Sequence, residues 1–595
     1  MKEKEVLLIF KTHLDIGFTD YSANIVSKYL NQFIPNAIKV GRELQNTDTP
    51  FLWTTGSWLI YQALKQDQDK SVENAVRDHI ISWHALPFTT HTELMNPALF
   101  QYGLDLSAEL DERFGRKTIG AKMTDVPGHT IGMVPLMAKR GIRFLHIGVN
   151  PATPVPPVPP VFRWKYGENE VIVMYQGDYG AAAEFDDFVI YFAHTNDNCG
   201  PQSSKEIVDI YERVQKQYPG WKVRAATLND AAERLLSVPD LPVLEKEIGD
   251  TWIHGAATDP QKLSRYRKLL RSIEKTKNPL PDLSESLLLV PEHTWGMDVK
   301  TFFRDEQHFT CCEMEQCAAE RKVIEKSWEE QRQYVCAAEK LLRTESDYPV
   351  KMPELSGYEP TACPENLPVE ISWQLFDRSD YMRYEKEYIR LTEENRGWAL
   401  WDLTKYGIPE YQGGLYDAQV TAAYCKGEKR LYRLNFVPEI EEKHGLPCFY
   451  LEIEGNRIDL KWFGKKASRL PQAFWLKIKG FEEQWELHKM GIWVKPEEIV
   501  GSPLISAVQD GVRNREVEID SLDAALVAPF GRRLLCYGEE DLQQDLYFNL
   551  YNNIWNTNFP MWYSDDAVFR FEIKKRERKT DLSDFSQNEH KEMIN

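Results

Sequence analysis

The sequence predicts a multidomain protein of mixed class, an α/β domain followed by a helical segment and then an antiparallel β domain. Three observations predict it. Strand-like and helix-like segments alternate through the first 240 residues. Apolar residues then recur at helical spacing from 261 to about 344, and beyond about 407 come short β-like runs broken by Gly, Asn and Asp. At 595 residues the chain exceeds what one core can organise. These shifts put the expected domains at 1–245, 246–400 and 401–575, with a polar tail at 576–595.

Residues 6–10 form a continuous apolar run of strand length, and 23–44 carry apolar residues at helical spacing before "FLWTTG" gives a second strand. The alternation continues with a helix over 97–114, a strand over 118–123, a helix over 133–140 and a strand over 144–149. "EVIVMY" from Glu170 is a further strand and 204–217 a further helix. Such a pattern implies a parallel sheet covered by helices, open or closed into a barrel, with ligands at the carboxyl ends of the strands. "PATPVPPVPPVF", 151–162, is an extended loop because its prolines exclude helix and central strand. "QKLSRYRKLLRSIEK" and the charged run ending "YVCAAEKLLR" read as members of a helical bundle, with another helix over 380–394. "QVTAAYC", "CFYLEIEG", "AFWLKIKG" and "AVFRFEIK" read as strands of an antiparallel β-sandwich.

Composition narrows the function. A net charge of -19 with no basic patch beyond "KKRERK", 574–579, disfavours nucleic acid. No apolar stretch approaches the ~20 residues that span a bilayer, so no membrane partner is expected. Nine cysteines without paired CxxC spacing support neither a disulfide framework nor a thiolate zinc site, and predict a reducing, cytoplasmic location. Aromatic residues make up 12%, with 17 Trp, which suits stacking on sugar rings as well as ordinary packing. A homo-oligomer is compatible with all of this.

The first strand closes on His13-Leu14-Asp15. Residues i and i+2 of a strand point to one side, so His13 and Asp15 can face a common point above the sheet. Asp125 ends another expected strand, and Pro127-Gly128 turn the chain before His129. In "LLLVPEHTWGMDVKTF", His293 follows an apolar run beside Trp295 and Asp298.

Together these segments resemble the zinc-dependent α-mannosidases of glycoside hydrolase family 38. That family opens with a strand ending in His-x-Asp, as at His13 and Asp15. It carries an Asp-x-x-Gly-His-Ser block, matched by Asp125-Val-Pro-Gly128-His129-Thr130, and a last metal histidine in a short loop, matched by His293 in "EHTWGM". The resemblance implies an N-terminal (β/α) barrel of the mannosidase type, a helical bundle that completes the site and a C-terminal β-sandwich. It implies Zn2+ held by His13, Asp15, Asp125 and His293, a mixed N/O donor set acceptable to that ion.

The implied activity is retaining hydrolysis of an α-mannoside-like carbohydrate with a cis-2,3-diol, with Asp125 as nucleophile. By the same resemblance Asp197 is the candidate general acid. The family's eukaryotic members place two adjacent aspartates there, however, and Asn198 stands at the second position, so Asp178 or Glu93 are alternatives. His91, Glu93, Trp252, His254 and Asp259 are candidate substrate-binding residues, Asp259 being equally suited to cap a helix, and His129 is expected to brace Asp125 rather than bind metal. A metal-dependent carbohydrate deacetylase and a non-catalytic sugar-binding homologue are the alternative functions.

Overall fold

Strand β1, Glu5–Thr12, is the centre of the first sheet. The structure, a computed structural model, describes residues 4–276, 281–481, 484–501, 504–538, 542 and 545–576. Val6 to Phe10 are buried on both faces, as expected of a central parallel strand. The next strands in chain order are β2 (Trp53–Gly56), β3 (Ile81–His84), β4 (Gly120–Asp125), β5 (Phe144–Val149) and β6 (Val161–Tyr166). They are followed by β7 (Asn169–Gln176), β8 (Ala183–Glu184), β9 (Phe188–Thr195), β10 (Lys222–Ala225) and β11 (Val243–Leu244).

β1 runs parallel to β9 along its whole length, from Glu5 against Phe188 to Thr12 against Thr195. On its other edge it pairs with β10 over its first half and with β2 over its second, and β2 pairs with β3. A second sheet has the order β11-β6-β7-β5-β4, with β4, β5 and β7 parallel. The two sheets approach where Ala85 N–H, just after β3, donates to Gly120 O at 3.0 Å. Leu7 and Ile9 of β1 share an apolar cluster with Phe144 of β5 and Met174 of β7, floored by Leu228 of the helix Leu228–Leu235. The inner faces of both sheets therefore enclose one interior.

Helices Pro260–Glu274, Pro281–Leu288 and Lys322–Leu342 follow. Arg265 ties the first to the third, its Nε donating to Glu339 Oε1 at 2.9 Å. Within the segment expected to be helical up to 400, Glu359–Thr361 and Val369–Leu375 are strands. Val369–Leu375 pairs antiparallel with Gln472–Ile478. The alternation in "VEISWQL" fits a sheet buried on one face, and that pairing lies about a hundred residues away in sequence.

The remainder builds one ten-stranded and one six-stranded antiparallel sheet. They pack face to face through pairs such as Trp462 on Phe474, ring centroids 5.3 Å apart, and Phe548 on Phe571, 4.9 Å. Mixed α/β structure followed by extensive antiparallel sheet agrees with the predicted class. Among the described residues no helix is long and apolar enough to cross a membrane, and all nine cysteines are free. The expected polar tail lies outside the described residues from 577 onward.

Candidate metal centre

Three strands from the two sheets deliver the site. His13 and Asp15 follow β1, Asp125 ends β4, and Asp197 and Asn198 follow β9. His293 comes from the segment after helix Pro281–Leu288, which is laid against 89–91: His91 N–H donates to Pro291 O at 2.8 Å, and Thr90 bridges Glu292.

Four side chains separated by up to 280 residues converge. His13 Nε2 lies 3.2 Å from His293 Nε2 and 3.1 Å from Asp15 Oδ1, while His293 Nε2 is 2.9 Å from Asp15 Oδ1 and 3.7 Å from Asp125 Oδ2. Ligands about 2.1 Å from a tetrahedral zinc stand about 3.4 Å from one another, so the spacing fits a common divalent ion. Asp15 Oδ2 is buried without a hydrogen-bond partner. Glu292 Oε1 is 2.6 Å from His293 Nδ1. The negative charge there, in an ion-pair contact rather than an aligned hydrogen bond, favours the proton on Nδ1, which leaves the Nε2 lone pair for the cluster as a metal-binding histidine requires. The donor set therefore fits Zn2+.

The electrostatics agree. Burial would lower the pKa of both imidazoles, but the charge of Asp15 on His13, and of Glu292 and Asp15 on His293, outweighs it and raises them. Burial would raise Asp15, whereas the two histidines hold it well below the carboxylate range. The cluster thus behaves as a place where positive charge is favoured.

Asp125 has a left-handed backbone, φ 78°, a conformation that Asp tolerates better than most residues. Its Oδ1 accepts from Asn150 Nδ2 at 3.2 Å and from the Tyr179 hydroxyl, leaving Oδ2 toward His293. Tyr179 also stacks on His13 at 5.5 Å. The turn after Asp125 needs Gly128, because a Cβ there would sit 2.0 Å from Gly249 O. Asp197 shares the site with His13 and Asp15, offering an atom within 4.8 Å of theirs. Burial, reinforced by the charge of Asp15, pushes its carboxyl up to about 7.

Asn198 is explained by its amide. Its Oδ1 accepts from Asp15 N at 3.1 Å, and its Nδ2 donates to Asp15 O and Gly17 O at 3.1 Å and to Thr19 Oγ1 at 3.0 Å. A carboxylate could not supply those donations, so this residue braces the loop that carries His13 and Asp15. Asp178, the alternative acid, accepts from Gly180 N and Ala181 N at 2.9 and 2.8 Å and so closes a turn.

The other expected residues divide. His91 donates through Nδ1 to Asp250 Oδ2 at 2.6 Å, leaving Nε2 unpartnered. Trp252 and His254 lie edge-on to Trp555, at 5.5 and 4.3 Å, and both are buried. His129 Nδ1 meets Thr92 Oγ1 at 3.3 Å, and burial lowers its pKa to about 4. Glu93 is fully buried, accepting from Asp250 N at 3.2 Å and Ala507 N at 2.8 Å and contacting Lys489 Nζ at 2.8 Å. It joins the α/β domain to the C-terminal sheet. Asp259 Oδ1 caps helix Pro260–Glu274 through Lys262 N at 3.0 Å, and Arg332 Nε donates to Oδ2 at 2.8 Å. Both oxygens of Asp259 are thereby engaged by protein, the capping role rather than the sugar-facing one. A further trio, Asp305, His308 and Cys317, has ligand-like spacing, but Arg469 Nη1 donates to Asp305 Oδ1 at 3.1 Å, and its positive charge disfavours a cation there.

Sequence reasoning missed Glu292, Asn150, Tyr179 and Asp250. Glu292 adjoins His293 and Asp250 lies two residues before Trp252, yet nothing local reveals that either stands beside an imidazole.

Residues 256–366 match a family model described as "Domain of unknown function (DUF5054)". No curated protein sequence matches the chain. Two solved structures from Enterococcus faecalis share its fold. One is an alpha-mannosidase from strain V583, with a TM-score of 0.60 and 9% identity, covering 96% of this chain and 87% of that one. The other is a protein in the glycosyl hydrolase family 38, with a TM-score of 0.54 and 8% identity, covering 97% and 86%. The chain is thus a sequence-divergent protein with the fold of these family 38 structures.

Proposed function

We propose that the protein is a zinc-dependent retaining glycoside hydrolase acting on α-mannoside-like sugars. The observation that carries this reading is the convergence of His13, Asp15, Asp125 and His293 on one point, with the Glu292 carboxylate 2.6 Å from His293 Nδ1. In this reading the two parallel sheets are parts of one barrel, and the three helices after it are the bundle. Bound Zn2+ would supply a grip on two neighbouring sugar hydroxyls, which favours a cis-2,3-diol. Asn150 and Tyr179 hold Oδ1 of Asp125, orienting the carboxylate for attack on the anomeric carbon. Asp197, its carboxyl at about 7, gives its proton to the departing oxygen and then takes one from the water that releases the sugar. His91, Trp252 and His254 form the buried wall behind the sugar site. Free cysteines, three of them exposed, favour a reducing compartment such as the cytoplasm.

The test is elemental analysis of the purified protein with a screen of aryl glycosides, before and after chelation and zinc return. One equivalent of zinc and mannoside hydrolysis abolished by Asp125→Ala are expected. Full turnover by metal-depleted protein, or by Asp125→Ala, would refute the reading. Sugar affinity without turnover across the panel would favour the non-catalytic alternative.

A further inference from the structure

The interior below the four-donor cluster holds a second polar group that the proposed hydrolysis does not use. A cavity of about 40 Å³ lies between β1, β2, β3 and β4, lined by Lys11, Thr54, His84 and Lys122, with its rim at His13 and Thr124. At ~10–15 Å³ per water this holds about three waters. Lys11, Thr54, His84 and Lys122 are all more than nine-tenths buried. Among the described residues no carboxylate lies within ion-pair distance of Lys11 or Lys122. Two lysine amines therefore face each other across one partly open space, and the nearest carboxylates, Asp197, Asp178 and Asp125, act on Lys11 only from beyond ion-pair distance.

The hydrogen bonds show where the unused donors are. Gln176 Nε2 donates to Ala181 O at 2.9 Å, which turns its Oε1 toward His146 Nε2 at 2.7 Å. His146 therefore carries its proton on Nε2 and presents the Nδ1 lone pair, which accepts from Lys122 Nζ at 2.5 Å. A second Lys122 donor reaches Tyr179 O at 3.4 Å, and the third is left for the cavity. Lys11 Nζ, Thr54 Oγ1 and His84 Nδ1 have no hydrogen-bond partner. Buried polar groups are almost always satisfied, and an unpaired buried ammonium is among the costliest groups a fold can hold. Burial and the like charge of Lys11 hold Lys122 well below the usual lysine range, and a bound negative charge would reverse that.

We propose that this cavity binds a small inorganic anion, held between Lys11 and Lys122 with Thr54 and His84 completing its shell. The anion supplies the missing acceptor for each orphaned donor. It also sets a fixed negative charge beneath the cation favoured by His13, Asp15, Asp125 and His293, so the two sites support each other's occupancy. The site does not depend on the hydrolase reading, and its tests read no glycoside turnover.

The first test is anomalous diffraction from crystals of the full chain in bromide. A peak within hydrogen-bonding distance of Lys11 Nζ and Lys122 Nζ is expected in the wild type and should be absent from Lys122→Met. The second is thermal melting at constant ionic strength, with gluconate, too large for the cavity, replaced stepwise by chloride or by phosphate. A saturable rise of several degrees is expected from mass action on the folded state. A rise with chloride identifies a halide site, and one with phosphate alone an oxyanion site. The rise should vanish in Thr54→Val, which keeps both lysines should Lys122→Met fail to fold. A midpoint indifferent to both anions, together with no bromide peak in the cavity, would overturn the proposal and leave two neutral lysines.

Discussion

Lys489→Met is the most informative test of how the α/β domain is held to the C-terminal sheet. Lys489 ends the strand Glu486–Lys489 and contacts Glu93 Oε2 at 2.8 Å and Glu247 Oε1, all three side chains being inaccessible to solvent. Glu247 Oε2 also accepts from Thr130 Oγ1 at 2.9 Å. Removing the ammonium leaves two buried carboxylates facing each other, and breaking such a group costs about 3–5 kcal/mol. At ~2–4 °C per kcal/mol for domains of a few hundred residues, the melting midpoint should fall by roughly 10 °C in scanning calorimetry. The loss should depend on pH with a defined sign. Burial, against the opposing charge of Lys489, raises Glu93 from its usual 4.5 to about 7. The folded state therefore binds more protons than the unfolded one between those values. The contribution is full below about 4.5 and disappears as pH rises through about 7. Without Lys489 the window moves higher, so the deficit should be larger near pH ~8 than near pH ~5. Adding Glu93→Gln and Glu247→Gln should recover most of the loss. A midpoint within about 2 °C of wild type, or a deficit identical at both pH values, would refute this account.

Other substitutions test the site. Glu292→Gln weakens the hold on His293 Nδ1 and should lower zinc affinity ~10–100-fold in chelator competition; unchanged affinity would count against the tautomer argument. Asn198→Asp loses the donations to Asp15 O, Gly17 O and Thr19 Oγ1, so stability should fall by about 2–4 kcal/mol, and denaturant titration showing no loss would contradict the bracing role. Gly128→Ala forces a Cβ onto Gly249 O and should lower the melting midpoint markedly; normal stability would mean the turn after Asp125 can relax. Asp259→Ala should destabilise through loss of the helix cap and the Arg332 pair while leaving KM for sugar unchanged, and a raised KM would return Asp259 to the sugar.

Local periodicity made much of the α/β domain legible. The expected helices at 97–114 and 204–217 and the strand at 144–149 coincide with Pro97–Phe114, Ser204–Gln217 and Phe144–Val149, because each carries its own apolar pattern and its own boundary residues. The strand expected at 118–123 is Gly120–Asp125, a shift that leaves Asp125 at the carboxyl end. The strand Val369–Leu375 was hidden among helical neighbours because its partner, Gln472–Ile478, is distant in sequence. For the site, His13, Asp15 and Asp125 stood out as candidates at strand ends and His293 through the family resemblance, and the structure brings the four side chains together. The partners that orient them did not stand out, since Glu292, Asn150 and Tyr179 act only across the folded interior. Asn198 was visible as a departure from a pattern, but its physical meaning lies in three oxygen atoms contributed by another loop.

The pairing of β1 has a cost in time. Its first long-range partner, β2, covers only Phe10 and Lys11 through Trp53 and Thr54, whereas Phe188, opposite Glu5 on β9, is 183 residues further down the chain than Glu5. A ribosome adding ~5–20 residues per second takes roughly 10–35 s to supply it. For that interval the nascent run Val6 to Phe10 has most of its edges open, an invitation to mispair with other chains. Synthesis of this protein should therefore lean on holding factors that bind its amino-terminal segment, and slowing translation between residues 60 and 190 should increase aggregation rather than relieve it.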